Sequence, residues 1–313
     1  MIRNDDDRKL LERLPGMTVA IATPVDDNGE LDADAFHRLI DRVIEGGAAS
    51  IFALGWMGEQ PLLSDSMRRQ VMSEVVGRVA GRVPVIVGIS EQSLPRTMVE
   101  ARAAQQAGAD ILLAAPPCCY PLSQESLVDY FRQLSAGTEL PMIVYNNGET
   151  GVLIGMDGAR TVSRMPGIIG IKETSNFIQL QQMINNVQRP GEFVILSGSE
   201  YLFGPALLIG AESCTMGGPG NLVPQWCARM HRSAANGDWG EVAQQHRRLV
   251  AFCDALYVIG DSGSGMLDSA YSAVLAALSF LGYGSGRAVS PLPALTPSEI
   301  EQVHEVLEAF EVR

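Results

Sequence analysis

Eight short, continuously apolar runs recur along the 313-residue chain, and they leave few folds open to it. They begin near Met17 (MTVAIAT), Ser50 (SIFALG), Pro84 (PVIVGIS), Asp110 (DILLAAP), Pro141 (PMIVYN), Ile168 (IIGIKE), Phe193 (FVILSG) and Ser213 (SCTMGG), 20 to 34 residues apart. Strands with one wet face alternate apolar and polar residues. Runs without alternation suit strands covered on both faces, as in a parallel sheet wrapped by helices. The segments between them read as helices with recognisable ends. Asp32 or Asp34 can cap a helix carrying Phe36, Leu39, Ile40 and Val43, which stops at Gly46-Gly47. Ser64 can cap the next, carrying Met67, Val71 and Val75, and the segment 93–107 ends at Gly108.

Strand and helix alternating eight times predict an α/β fold, a (β/α)8 TIM barrel over residues 16–235, preceded by a polar leader at 1–15. The alternative is a doubly wound open sheet, which the absence of a G-x-G-x-x-G after the first run disfavours. Beyond about residue 235 the strand pattern stops. Segments 238–258, 265–281 and 296–310 read as three helices, so residues 236–313 are expected to form a C-terminal three-helix extension. Thr296 and Glu299 fit a capping box with Pro297 at the first helical position.

Composition narrows the function. Apolar residues make up 46%, enough for a large core, and the formal net charge is -13. Nucleic acids and anionic membranes attract basic surfaces, so neither is expected as a partner. No apolar run reaches the roughly 18–20 residues of a membrane span. The start, MIRNDDDRKL, lacks the apolar stretch of a secretory signal. The five cysteines, Cys118, Cys119, Cys214, Cys227 and Cys253, are irregularly spaced without a C-x-x-C, which points to a reducing cytoplasm rather than a disulfide framework.

Of the 23 basic residues 21 are arginine; Lys9 lies in the leader and Lys172 closes the sixth apolar run. A parallel barrel carries its active site at the C-terminal ends of its strands. An ammonium there, among apolar walls, loses solvation, its pKa falls, and the free amine can attack a ketone to form a Schiff base. The plain alternative is a lysine that snorkels out or pairs with Glu173. Tyr145 closes the fifth run, one strand away, where a phenol can shuttle protons; its alternative is an aromatic filler at the rim. The turn Gly55-Trp56-Met57-Gly58-Glu59 after the second run can expose backbone N–H groups to a carboxylate. Strand ends also supply Gly198, Ser199 and Thr215.

With these residues in hand the chain resembles the dihydrodipicolinate synthase/N-acetylneuraminate lyase family of class I aldolases. The matching pieces are A-T-P at 22–24, G-W-M-G-E at 55–59, PVIVG at 84–88 and AGAD at 107–110, then SQE at 123–125 and Y-N at 145–146. GIKE at 170–173, LSG at 196–198 and PL-x-x-L-T at 291–296 complete the series. The resemblance implies Lys172 as the Schiff-base lysine, Tyr145 as the catalytic tyrosine and a 2-oxo acid substrate. It also implies no cofactor and a homo-oligomer, a tetramer or dimer.

Departures from the family pattern bear on the substrate. The second-strand loop usually reads G-T/S-T/S-G-E; here Trp56 and Met57 replace both hydroxyls. The fourth-strand loop often reads P-Y-Y; here it is Pro117-Cys118-Cys119, which makes Cys119 a substrate-contact candidate and leaves Tyr120 as a shifted replacement for a relay tyrosine. The arginine that follows the tyrosine in the synthases is absent from Asn147-Gly148-Glu149-Thr150. These losses argue against dihydrodipicolinate synthase itself. They favour a lyase that cleaves, condenses or dehydrates pyruvate or a sugar-derived 2-oxo acid, as does the likeness of GEQPLLSD (58–65) to 2-keto-3-deoxy sugar acid dehydratases. The alternative is a member with diminished catalysis that binds a 2-oxo acid or serves assembly.

Other motifs carry less. Gly260-Asp261-Ser262-Gly263 resembles a serine-protease nucleophile segment, but it precedes a helix and no histidine has suitable context; as a flexible helix start, it could bring Ser262 and Ser264 to the barrel mouth. The four histidines, His37, His231, His246 and His304, form neither H-x-H nor H-E-x-x-H, so no metal site is expected. Gly217-Gly218-Pro219-Gly220 could hold a phosphate or make a plain turn.

Overall fold

The computed structural model describes residues 2–260 and 266–313. Each apolar run forms one strand: β1 (Gly16–Ala20), β2 (Ser50–Ala53), β3 (Val85–Gly88), β4 (Ile111–Ala114), β5 (Met142–Asn146), β6 (Ile168–Glu173), β7 (Val194–Ser197) and β8 (Ser213–Met216). Every residue of these strands is buried. All neighbours pair in parallel, and β8 returns to β1 with Gly16 opposite Ser213, so the sheet is a closed eight-stranded barrel. Closure removes both sheet edges and leaves helices as the only cover the outer face needs.

Helix α1 (Asp5–Arg13) precedes the barrel. The covering helices are α2 (Ala33–Glu45), α3 (Asp65–Val79), α4 (Leu94–Ala107), α5 (Gln124–Ala136), α6 (Met156–Val162), α7 (Phe177–Asn186), α8 (Phe203–Leu208), α9 (Gly218–Leu222) and α10 (Pro224–Ala235). Helix α2 shows why the sequence chooses this form. Asp32, not Asp34, is its cap, accepting the Ala35 N–H at 2.9 Å, and Phe36, Leu39, Ile40 and Val43 are fully buried against the barrel. Burial stabilises each by about 1.5–3 kcal/mol.

The first 15 residues are more structured than a polar leader. Asn4 caps α1 and three aspartates occupy its first turn, where the helix dipole favours negative charge. Leu11 and Leu14 are buried, and the Arg3 guanidinium donates to the carbonyls of Thr138 and Glu139 at 2.9 Å. Two apolar residues on one side of a charged helix suffice to dock it.

After α10 come α11 (Trp239–Tyr257), α12 (Met266–Phe280) and α13 (Pro297–Ala309). Edge-to-face contacts of Phe252 with Trp226 (5.7 Å) and Phe310 (5.4 Å) tie α11 to α10 and to the chain's end. The Thr296/Glu299 capping box is present at α13. Helix α12 packs on α9 and α11 and carries Ala270, Tyr271 and Val274 to the C-terminal mouth of the barrel. Among the described residues no helix is long and apolar enough to cross a membrane.

Candidate active site

Strand register brings Lys172 of β6 directly opposite Tyr145 of β5. Alternation along a strand sends successive side chains to opposite faces, so Lys172 enters the barrel mouth while Glu173 leaves it. Glu173 accepts from Asn146 Nδ2 at 2.7 Å and from the Ser175 N–H at 2.6 Å. It makes no pair with Lys172. The lysine does not snorkel either: it is 5% exposed, with Nζ 3.7 Å from the centroid of the Tyr145 ring and 5.7 Å from that of Phe52.

Burial pushes the Lys172 amine down to about 7, against the opposing pull of the carboxylates of Glu200 and Glu149. A large share is therefore free amine at neutral pH. Burial also holds the Tyr145 phenol well above its ordinary range, with the carboxylate of Glu149 acting in the same direction and the hydroxyl of Thr174 opposing. Tyr145 is thus a proton-holding phenol beside a nucleophilic amine.

These residues border a cavity of about 200 Å3. Glu200, in the turn after β7, accepts the Gly217 N–H at 3.0 Å and faces the Tyr257 hydroxyl at 3.5 Å, both on Oε1. Burial raises the carboxyls of Glu200 and Glu149, while Lys172 opposes the rise. Tyr271 and Tyr257 arrive from α12 and α11. The Thr215 hydroxyl is buried at the cavity without a hydrogen-bond partner among the described residues.

Trp56, Met57, Gly198, Ser199 and Thr215, singled out in the sequence, all line this cavity. Gly55 and Gly58 do not. A Cβ at Gly55 would strike the Phe52 ring, and Gly58 sits against the Ile21 carbonyl with its own carbonyl held by Thr23 Oγ1 at 2.9 Å. They shape the turn from behind. Leu54 and Glu59, at its two ends, take left-handed φ of 56° and 54°, which costs non-glycine residues roughly 1 kcal/mol or more each. Glu59 N–H bonds the Trp56 carbonyl and Gln60 N–H that of Gly55. The N–H groups of Trp56, Met57 and Gly58 find no acceptor among the described residues. Gly198 allows a close approach, because a Cβ there would overlap Thr174 Cγ2 and stand 3.1 Å from Lys172 Cε.

Cys119 requires a correction. It is exposed and lies outside the cavity, because Gln92 Oε1 accepts the N–H groups of both Cys118 (3.0 Å) and Cys119 (3.1 Å) and holds the β4–α5 loop aside. Tyr120 is 76% exposed and takes no place at the amine. The glycines after β8 do not offer a free phosphate nest, since the Gly217 N–H already serves Glu200. No histidine lines the cavity: His246 Nδ1 accepts from Gly204 N–H at 3.4 Å and His37 pairs with Glu74 at 2.7 Å. Among the described residues no group of three His, Cys, Asp or Glu side chains is placed to hold a metal. The Asp261-Ser262-Gly263 part of the protease-like segment, and Ser264, lie outside the described residues.

Sequence reading missed Glu200, Thr174, Tyr257 and Tyr271. Glu200 follows the LSG strand end by two residues and was within reach of a strand-end search. The tyrosines come from helices far along the chain, and only packing aims them here.

Comparison with known proteins agrees with the barrel fold and places the chain in a family. The model of the dihydrodipicolinate synthetase family matches residues 13–310. The 4-hydroxy-tetrahydrodipicolinate synthase of Porphyromonas gingivalis is 32% identical over 252 residues, 80% of this chain and 84% of its own. Dihydrodipicolinate synthase from Bacteroides thetaiotaomicron superposes with a TM-score of 0.88 at 28% identity, covering 95% of this chain and 98% of that one. YagE, a prophage protein of E. coli K12 solved in complex with pyruvate, superposes at 0.86 with 26% identity, covering 96% and 99%.

Proposed function

The chain belongs to the dihydrodipicolinate synthetase family, lyases of the class I aldolase type, and we propose that it cleaves, condenses or dehydrates a 2-oxo acid whose tail is hydroxylated and uncharged. The observation that carries this reading is the buried Lys172 amine, lowered to about 7 and stacked on Tyr145. Lys172 is the nucleophile toward the 2-oxo group, and the iminium it forms is the electron sink. Tyr145 serves as its proton partner. The N–H groups of Trp56 and Met57, with the Thr215 hydroxyl, none of them bonded among the described residues, are suited to the substrate carboxylate.

The tail then extends toward Glu149, Glu200, Tyr257 and Tyr271. No arginine or histidine lines the cavity, and Lys172 is its only cation among the described residues. A tail bearing a second carboxylate would meet two carboxylates there. Hydroxyls, which donate to carboxylates, and carbon stacked on Trp56 suit the wall better. This is why a sugar-derived 2-oxo acid fits this chain better than the condensation named for its curated relatives. A dimer or tetramer in solution is part of the same reading, and light scattering after gel filtration measures it.

The test is to incubate the full-length protein with pyruvate or 2-keto-3-deoxygluconate, reduce with borohydride and weigh it. The expected result is one adduct on Lys172, absent from Lys172→Ala, and pyruvate release from the sugar acid. No adduct with either probe sinks the enzyme reading. An adduct without turnover across a panel of hydroxylated 2-oxo acids supports a binding protein instead.

A further inference from the structure

Trp56 and Met57 line the cavity without offering a hydroxyl, yet an aldol step still has to move a proton. We propose that Glu200 is the acid–base group of this site, taking the proton from the substrate hydroxyl and returning it to carbon. The proposal rests on the reading of Lys172 as the imine-forming residue.

Placement comes first. Glu200 lies in the turn that leaves β7, and β7 pairs with β6, so this turn borders Lys172: Gly198 stands where a Cβ would be 3.1 Å from Lys172 Cε. Glu200 lines the same cavity as the amine. Its Oε1 is anchored by the Gly217 N–H and faced by the Tyr257 hydroxyl, and the backbone N–H of Glu200 itself also bears on the carboxylate. A carboxylate held in direction at the wall of the cavity is the arrangement a proton-transfer group needs.

The competitors are weaker on geometry. The Tyr145 ring face covers the amine. Cys119 and Tyr120 are outside the cavity, and no histidine lines it. Glu149 is the other carboxylate of the cavity among the described residues, but no hydrogen bond there orients its carboxyl group; only its backbone N–H is bound, to Asn147 Oδ1 at 3.1 Å. The titratable groups that act on or feel Glu200 are Lys172 on β6, Tyr145 on β5, Cys227 on α10, Cys253 and Tyr257 on α11, and Tyr271 on α12, with Tyr201 beside it. Desolvation raises its carboxyl, which strengthens it as a proton carrier.

For a 4-hydroxy-2-oxo acid held as the Lys172 iminium, the step balances as follows. The Glu200 carboxylate takes the proton of the C4 hydroxyl, and the O–H pair becomes the second bond of the aldehyde. The C3–C4 bond breaks, its pair forms the C2=C3 bond of the enamine, and the C2=N pair moves onto nitrogen. After the aldehyde leaves, Glu200 returns the proton to C3. Water hydrolyses the iminium to pyruvate and frees Lys172. One carboxyl group serves both transfers.

The return step can be read with pyruvate alone. In D2O, proton NMR follows loss of the pyruvate methyl signal, while borohydride trapping on the same samples measures the imine. Glu200→Gln is expected to trap pyruvate within about threefold of the parent protein yet exchange methyl protons 10²–10⁴-fold more slowly. Glu200→Asp, with the carboxylate set back by one methylene, should recover part of the exchange and its pH limb, which a merely structural role would not restore. Exchange in Glu200→Gln within threefold of the parent overturns the proposal, as does loss of exchange in Glu149→Gln with Glu200→Gln unaffected. If Glu200→Gln fails to fold, Glu200→Asp decides alone: slowed exchange with intact trapping supports, unchanged exchange overturns. Failure of the parent protein to trap pyruvate is a separate result that counts against Lys172.

Discussion

Lys172 Nζ stands 3.7 Å above the ring centroid of Tyr145, on the face of the phenol. Opposing effects act on the amine. The ring face favours the ammonium by about 0.5–2 kcal/mol, and burial disfavours it. The fall from 10.5 to about 7 corresponds to about 5 kcal/mol against the charged form, so desolvation wins. The carboxylates of Glu200 and Glu149 oppose the shift without cancelling it.

A pH dependence of both rate and stability follows from Lys172. Imine formation with pyruvate should rise with pH and reach half its plateau near 7, read by stopped-flow or quenched borohydride trapping. Between about 7 and 10.5 the unfolded chain holds the proton and the folded chain does not, so stability contributed by this group rises as pH rises through that window. Lys172→Met should accordingly be more stable than the parent protein at pH 6, by a few kcal/mol, with the gap closing toward pH 10 in denaturant titrations.

Tyr145→Phe keeps the ring over the amine and removes only the hydroxyl. The midpoint of imine formation should stay within about half a pH unit, while its rate falls about 10²-fold or more. A midpoint that moves with the hydroxyl would show that the phenol, not the ring face, sets the amine's environment. Trapping rates across pH give both numbers.

Glu59 is a second pH-dependent element, of opposite sign. The residue is 2% exposed; its carboxyl accepts the Val289 N–H on Oε1 at 2.7 Å, leaves Oε2 without a partner among the described residues, and is pushed by burial to about 7. Between 4.5 and about 7 the folded chain holds a proton that the unfolded chain has lost. Stability contributed by Glu59 is full below 4.5 and falls as pH rises through that window, by about 3 kcal/mol at most. Glu59→Gln should flatten this slope and raise Tm at pH 8, as measured by calorimetry over pH 4.5–8.

Gly198→Ala places a methyl group against Thr174 Cγ2 and Lys172 Cε. Because β6 and β7 are paired at this point, the lysine has little room to yield. The expected cost is about 1–3 kcal/mol of stability, together with a loss of imine trapping larger than the loss of folded protein. Thermal melts beside trapping yields separate the two.

Much of the architecture was readable before any coordinates, for local reasons. A strand covered on both faces writes a continuous apolar run, and eight of them mark β1 to β8 directly. Caps are local too, which is why Ser64 and the Thr296/Glu299 pair were recognisable. Lys172 stood out because an amine at the end of such a run is costly without a use, and Tyr145 because adjacent parallel strands align their ends. What local patterns could not carry were contacts made through loops. Nothing near Cys119 says that Gln92, 27 residues earlier, holds its loop away from the cavity.

By itself, then, the sequence determined the α/β alternation, the strand ends and the pair of Lys172 and Tyr145, because periodicity and burial are properties of short segments. Tertiary structure alone decided that α1 docks and that Glu200, Tyr257 and Tyr271 converge on the amine. The lowered affinity of Lys172 for its proton was also decided there. Desolvation and proximity depend on which distant segments pack together, and no single stretch of the chain contains that information.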